Sequence, residues 1–224
     1  MVVSEKKPIE ELLGYLKGAK KVVLVGCGDC ATACKTGGEP EIAELTETLA
    51  ENGIEVTGSV VIPTACNLLL GKKELKAVKD ALKEADAVIS MACGDGTQTI
   101  MKNVKKQNIP VYPANDTLFI GEVERVGKFS EACKACGECE LGWTGGICPV
   151  TMCAKGLVNG ACGGAKNGKC EVSPENDCAW VLIYERLKEL GQLDNLKEVR
   201  PPKDYSRQLN PRRHEIGKKA EAEA

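Results

Sequence analysis

Apolar residues in the first half of the chain alternate between two rhythms. Ile9, Leu12, Leu13 and Leu16 recur at helical spacing, and the following run KKVVLVGCG is continuously apolar and ends in glycine, the pattern of a strand buried on both faces. The unit then repeats. EPEIAELTETLAENG sets Ile42, Leu45 and Leu49 on one helical face between Pro40 and Gly53, and IEVTGSVVI reads as a second strand. KKELKAVKDALKEA predicts a helix, DAVISMACG a third strand, GTQTIMKNVKKQN a further helix and IPVYPAND a fourth strand. Strands alternating with helices of this length predict an α/β unit, a parallel sheet with flanking helices of Rossmann-like or flavodoxin-like type.

Near residue 128 the rhythm stops. Residues 133–170 are mostly Cys, Gly and small polar residues, which bury too little apolar surface to offset their ordering entropy. Bound metal is expected to fold this part. Order resumes in SPENDCAWVLIYERLKELG, where Ser173 and Pro174 predict a helix start and Trp180, Ile183, Leu187 and Leu190 form one apolar face. From Arg200 onward apolar residues thin out. The expected organisation is an α/β domain over residues 1–127, a small Cys-rich metal-cluster domain ending in a helix over 128–200, and a polar tail over 201–224 that is either solvated or wraps a partner.

The 224 residues carry 30 Lys and Arg against 32 Asp and Glu, a formal charge of -2, so no general basic surface is available for nucleic acid. No run approaches the roughly 18 apolar residues of a membrane span, and charges in MVVSEKKPIEELL occupy the place of a signal peptide's apolar segment. A soluble, cytoplasmic protein is expected. The single histidine, His214, lies in the polar tail, which leaves almost nothing for Ser-His-Asp, Cys-His or His-ligated metal chemistry.

Cysteine is the remaining reactive residue, and there are 13. An odd number in a chain this long speaks for reduced thiols rather than a disulfide framework. Cys27 ends the first strand, Cys30 and Cys34 follow it, Cys66 follows the second strand and Cys93 ends the third. The carboxyl ends of parallel strands face one crevice, so these five are expected to converge there as ligands of a [4Fe-4S] cluster. Cys30, Cys34 and Cys93 are the firmest candidates, with Cys27 or Cys66 as the fourth; any of Cys27, Cys66 and Cys93 could instead be core packing. Gly26-Cys27-Gly28-Asp29-Cys30-Ala31 formally fits a dinucleotide fingerprint, but cysteines occupy the pyrophosphate turn and no acid ends the second strand. Gly94-Asp95-Gly96-Thr97 reads as a turn into a helix.

Eight more cysteines follow. Cys133-x2-Cys136-x2-Cys139 and the later Cys148-Pro149 have the form of a bacterial ferredoxin run, with a longer gap before Cys148. Cys153, Cys162, Cys170 and Cys178 supply a second quartet, and the partition between sites stays open. Tetrathiolate sites take zinc as readily as iron-sulfur, so the count is two or three [4Fe-4S] clusters, or a zinc in place of one of them. Trp143 and Trp180 are expected to pack beside these sites.

The stretches GCGDCATACKTGGE, ACGDGTQT, CKACGECELGWTGGICPVTMCAKGLVNGACGG and NGKCEVSPENDCAWVLIYERLKELG resemble the methylenetetrahydrofolate reductase C-terminal family over about residues 20–205. Ala161 stands where the family usually has proline. The resemblance implies a non-catalytic iron-sulfur subunit of an acetogen-type reductase. It would pass electrons from ferredoxin or a larger electron-transfer module to the FMN of a flavin-containing catalytic subunit, which reduces 5,10-methylene-tetrahydrofolate to the 5-methyl form. Flavin and folate would then bind the partner. The competing readings are a zinc-bearing structural subunit of the same complex, and an enzyme using a spare N-terminal cysteine activated by Lys35.

Overall fold

The computed structural model describes residues 1–216 and divides into two compact units, Met1–Ser130 and Glu131–Ala224. The first holds a four-stranded parallel sheet of β2 (Lys21–Cys27), β3 (Glu55–Ile62), β4 (Ala87–Met91) and β5 (Val111–Pro113), in the order β3-β2-β4-β5. These are the four expected strands. The continuous apolar runs follow from burial on both faces. Val23, Val25 and Val88 pack beneath Leu75, Val78, Leu82, Ile100 and Val104, while Val22, Leu24 and Ile89 pack against Leu12, Leu16, Ile42 and Leu49 on the other face.

The helices of the second of those faces are α1 (Ile9–Tyr15) and α3 (Glu39–Glu51); α2 (Cys30–Ala33) is a single turn after β2. Glu41 starts α3 by accepting the Gly38 N–H at 2.8 Å. The continuous helix expected over KKELKAVKDALKEA is broken. Here α4 (Leu68–Glu74) passes into a 3-10 turn (Leu75–Val78) before α5 (Ala81–Glu84). Asn67 starts α4 by accepting the N–H groups of Leu69 and Leu70 at 3.1 Å, before the expected start. The third face-covering helix, α6 (Gly94–Val104), follows β4 as expected.

A second sheet has no counterpart in the sequence pattern. β1 (Val2–Lys6), β6 (Asn115–Arg125) and β7 (Lys128–Cys133) lie in the order β1-β6-β7, with Val2 opposite Ile120 and Lys6 opposite Asn115 in antiparallel register.

In the second unit α7 (Pro149–Met152) and α8 (Ala179–Glu189) stand among turns, and Trp180, Ile183 and Leu187 form the core cluster. Helix α8 begins at Cys178, not at Ser173-Pro174. Residues 166–178 are instead folded back on themselves: Lys169 bridges Lys166 and Asp177, and Cys178 N–H donates to Gly168 O at 2.7 Å. No helix among the described residues is long and apolar enough to cross a membrane.

Candidate metal centres

In the parallel sheet the strand order reverses on either side of β2, so the crevice beyond the carboxyl ends of β2 and β4 is the place where such sheets bind ligands. Cys27 is the last residue of β2, Cys93 is the N-cap of α6 just beyond β4, and both are buried. The exposed Cys66 sits between β3 and α4. Burial first, then the Asp95 carboxylate and the Cys93 sulfur, with a smaller part from Cys27, push the Cys66 thiol above its ordinary value. Cys66, Cys93 and Cys27 are therefore electrostatic neighbours.

Cys30 and Cys34 lie beside strand β1. Val2 N–H donates to the Cys30 Sγ at 3.4 Å, and the Cys34 Sγ lies 4.0 Å from Val2 O, so strand β1 covers both.

Backbone contacts fix these turns. Cys27 N–H donates to Gly37 O at 2.9 Å, and Thr32 Oγ1 to Cys27 O at 2.8 Å. Asn115, at the start of β6, joins the two cysteine-bearing segments: its Nδ2 donates to Thr36 O at 3.2 Å and to Ala92 O at 3.5 Å. Its buried Oδ1 has no hydrogen-bond partner. Asn115→Asp removes the donor and leaves two carbonyls facing a buried carboxylate, so we expect a loss of about 1–3 kcal/mol in the first unit by urea titration. An unchanged midpoint would mean that Asn115 ties nothing together.

In the second unit, Cys133 ends β7 and opens a tight loop. Ala135 and Gly137 have φ of 49° and 85°, left-handed values that turn successive N–H groups toward one side, and Ala135 N–H donates to Cys133 Sγ at 3.2 Å. Cys136 Sγ donates to Glu138 O at 3.3 Å. Cys148 is the N-cap of α7 and Cys153 its C-cap. Cys153 and Cys178 pack against the Trp180 cluster, and Trp180 Nε1 donates to Leu157 O at 3.0 Å. Cys162 accepts the Gly164 N–H at 3.4 Å and donates to Glu171 Oε1 at 3.3 Å. Glu171 also pairs with Lys155; that hydrogen bond, with smaller contributions from Cys162 and Cys170, holds the ammonium above its ordinary value. Cys170 N–H donates to Asn176 O at 3.0 Å inside the folded-back segment.

All thirteen cysteines are free thiols, and among the described residues no three His, Cys, Asp or Glu side chains stand in an arrangement that could hold a metal ion. His214 is exposed.

Several residues beside the thiols carried no signal in the pattern. Asp95 lies in the segment read as a turn, and Asn115 opens an unexpected strand. The polar stretch after residue 200 is anchored over its described part, while 217–224 lie outside the described residues. Arg200 lies 4.7 Å over the Trp143 ring and pairs with Glu140, which is 4 % exposed. Lys203 donates to Glu138 O, Arg207 to Gly137 O at 3.5 Å and Arg212 to Ala135 O at 2.5 Å. Burial works against the Lys203 charge, but Cys136, Glu140 and Glu138 around it outweigh burial and raise its pKa.

Residues 112–206 match the family described as Methylene-tetrahydrofolate reductase C terminal. This is the family whose motifs the sequence carries. The match to the methylene-tetrahydrofolate reductase C-terminal family takes in all eight cysteines of the second run and Lys203, and leaves out Cys27 to Cys93. No curated protein matches the chain. Among solved structures, a sulfate-associated mutant of arylmalonate decarboxylase aligns at 16 % identity over 47 % of this chain and 46 % of that one, with a TM-score of 0.35. A second arylmalonate decarboxylase structure aligns at 16 % identity over 46 % of each chain, with a TM-score of 0.32. The chain thus spans just under half the length of the structures it matches.

Proposed function

We propose that the chain is an iron-sulfur electron-transfer subunit that delivers electrons to the flavin of a partner reductase acting on 5,10-methylene-tetrahydrofolate. The observation carrying this reading is how the thiols are presented. Cys93, Cys148 and Cys178 are N-caps of helices and Cys30 is the first residue of one, positions beside backbone N–H groups that have no partner within the helix. Cys30, Cys133 and Cys162 each accept a backbone N–H. A donor set of sulfur with no available imidazole fits thiolate-bound iron or zinc, and poorly fits hard cations.

Of the residues present, Cys133, Cys136, Cys139, Cys148, Cys153, Cys162, Cys170 and Cys178 would hold centres in the second unit, and Cys27, Cys30, Cys34, Cys66 and Cys93 one in the first. Iron-sulfur centres bound there would supply single-electron redox chemistry at potentials set by hydrogen bonds to sulfur. The chain's own part is to place thiols at helix starts, to direct N–H groups at sulfur and to cover Cys30 and Cys34 with β1. FMN and folate belong to the partner in this reading, and ferredoxin or a larger module to the donor side.

The test is iron, sulfide and zinc per chain on protein purified without oxygen. About eight to twelve irons with matching sulfide are expected for two or three clusters. Cys148→Ser should then lose about four irons and abolish donor-driven reduction of the partner's flavin, while the first unit stays folded. Zinc with little iron would replace this reading by a structural subunit. Flavin reduction that survives Cys148→Ser would take that cysteine off the electron path.

A further inference from the structure

The stretch that the sequence leaves as a polar tail lies along the outside of the loop carrying Cys133, Cys136 and Cys139. Three of that loop's carbonyl oxygens are engaged by cations of the tail: Ala135 O by Arg212, Gly137 O by Arg207 and Glu138 O by Lys203. On the same loop Ala135 N–H donates to the Cys133 sulfur, and the Glu138 carbonyl accepts from the Cys136 thiol as well as from Lys203. Only glycine permits the approach at residue 137. A Cβ there would lie 2.7 Å from the Arg207 Cβ, on a backbone already at φ 85°.

Lys203 goes further than its neighbours. Its side chain is 1 % exposed, its Nζ lies 3.5 Å from Glu140 Oε1 and 3.7 Å from Glu138 Oε2, and it shares with the Cys136 thiol the Glu138 carbonyl, which accepts from both, from the thiol at 3.3 Å. Glu140 is shared with Arg200, and Asp204 N–H donates to Glu138 Oε2 at 2.9 Å. Lys203 is thus a desolvated ammonium set among two carboxylates and the one carbonyl that the Cys136 thiol also uses.

We propose that Lys203, supported by Arg207 and Arg212, is a positioning residue that fixes the shape of the Cys133–Cys139 loop and sets the reduction potential of the centre its thiols hold. The proposal rests on the iron-sulfur reading above. A buried positive charge beside sulfur stabilises the reduced, more negative state, so its removal lowers the potential.

The experiment is a potentiometric titration of the full chain followed by electron paramagnetic resonance, with iron assayed in parallel. The spectral component lost in Cys136→Ser marks the centre in question. At a fixed applied potential, Lys203→Met is expected to raise the oxidised-to-reduced ratio of that component about tenfold, equivalent to about 59 mV for one electron. Lys203→Arg, which keeps the charge, should stay near the wild type. A Lys203→Met chain that keeps its iron and its potential overturns the proposal and leaves the iron-sulfur reading intact. Equal shifts in Lys203→Met and Lys203→Arg overturn it too, since packing rather than charge would be responsible. A wild-type chain with no reducible iron overturns both. Should Lys203→Met lose iron, the Arg207→Gln/Arg212→Gln double variant decides, because both side chains are exposed. A shift of the same sign supports the proposal, and an unmoved potential overturns it.

Discussion

Stripping bound metal from the chain with a chelator is expected to unfold residues 131–216 and leave the parallel-sheet unit standing. The two units differ sharply in what holds them. The first buries both faces of a sheet, with Leu24, Leu49, Ile62, Ile89, Met91 and Ile100 fully enclosed. In the second, the buried apolar side chains among the described residues are Pro149, Val150, Ala179, Trp180, Ile183 and Leu187, and its only helix longer than one turn is α8. So small a core does not offset the entropy of ordering a chain of that length, a deficit that bound metal would supply under the function proposed above. Trp143 and Trp180, the two tryptophans of the chain, both lie in the second unit, so tryptophan emission, excited selectively over tyrosine, reports on that unit alone. Metal removal should move the emission to longer wavelength while most of the far-ultraviolet helical signal persists. Emission that stays unshifted once iron and zinc are shown to be gone would mean that the second unit holds itself together.

Gly37→Ala should destabilise the first unit by about 3 kcal/mol or more, beyond most surface substitutions. A Cβ at residue 37 would lie 1.8 Å from Met91 O and 2.9 Å from the Ala31 Cβ. Neither neighbour can swing aside, since one is the backbone of a fully buried strand and the other a methyl fixed to a helix turn. The loop would have to lift off β4, taking with it the Gly37 carbonyl that accepts from Cys27. Gly14→Ala is the control. It lies in α1 with nothing within 4 Å of the added carbon, and should be neutral or gain about 0.5–1 kcal/mol. Urea midpoints followed by circular dichroism compare the two, and equal midpoints would refute the packing argument at residue 37.

The parallel sheet was legible because its chemistry is local. Every residue of β2 from Val22 to Cys27 is buried, so the run is apolar without interruption, and the glycine and proline residues around α3 mark its ends. The antiparallel sheet was not. β6 exposes most of its side chains, and buried polar residues, Ser4 in β1 and Asn115 in β6, break the alternation that identifies a half-buried strand. The start of α8 was misplaced because Ser173 and Pro174 have the right chemistry for a helix start, while Lys169 and Gly168 draw residues 170–178 into a turn. At the candidate centres the thiols themselves were readable from spacing. The residues set beside them, Asp95, Asn115 and Lys203, were not, because each reaches its thiol or thiol-bearing segment through the fold and not through the local motif.

Pairing of β1 with β6 also has a consequence for biosynthesis. The Met1 amino group donates to Gly121 O, across a separation of 120 residues, and the N–H of Val2 that reaches the Cys30 Sγ belongs to the same strand. On the ribosome, Cys27, Cys30 and Cys34 emerge long before residues 115–120 exist to hold β1 in place. The nascent chain therefore presents Cys30 and Cys34 without their β1 cover until residues 115–120 have been translated.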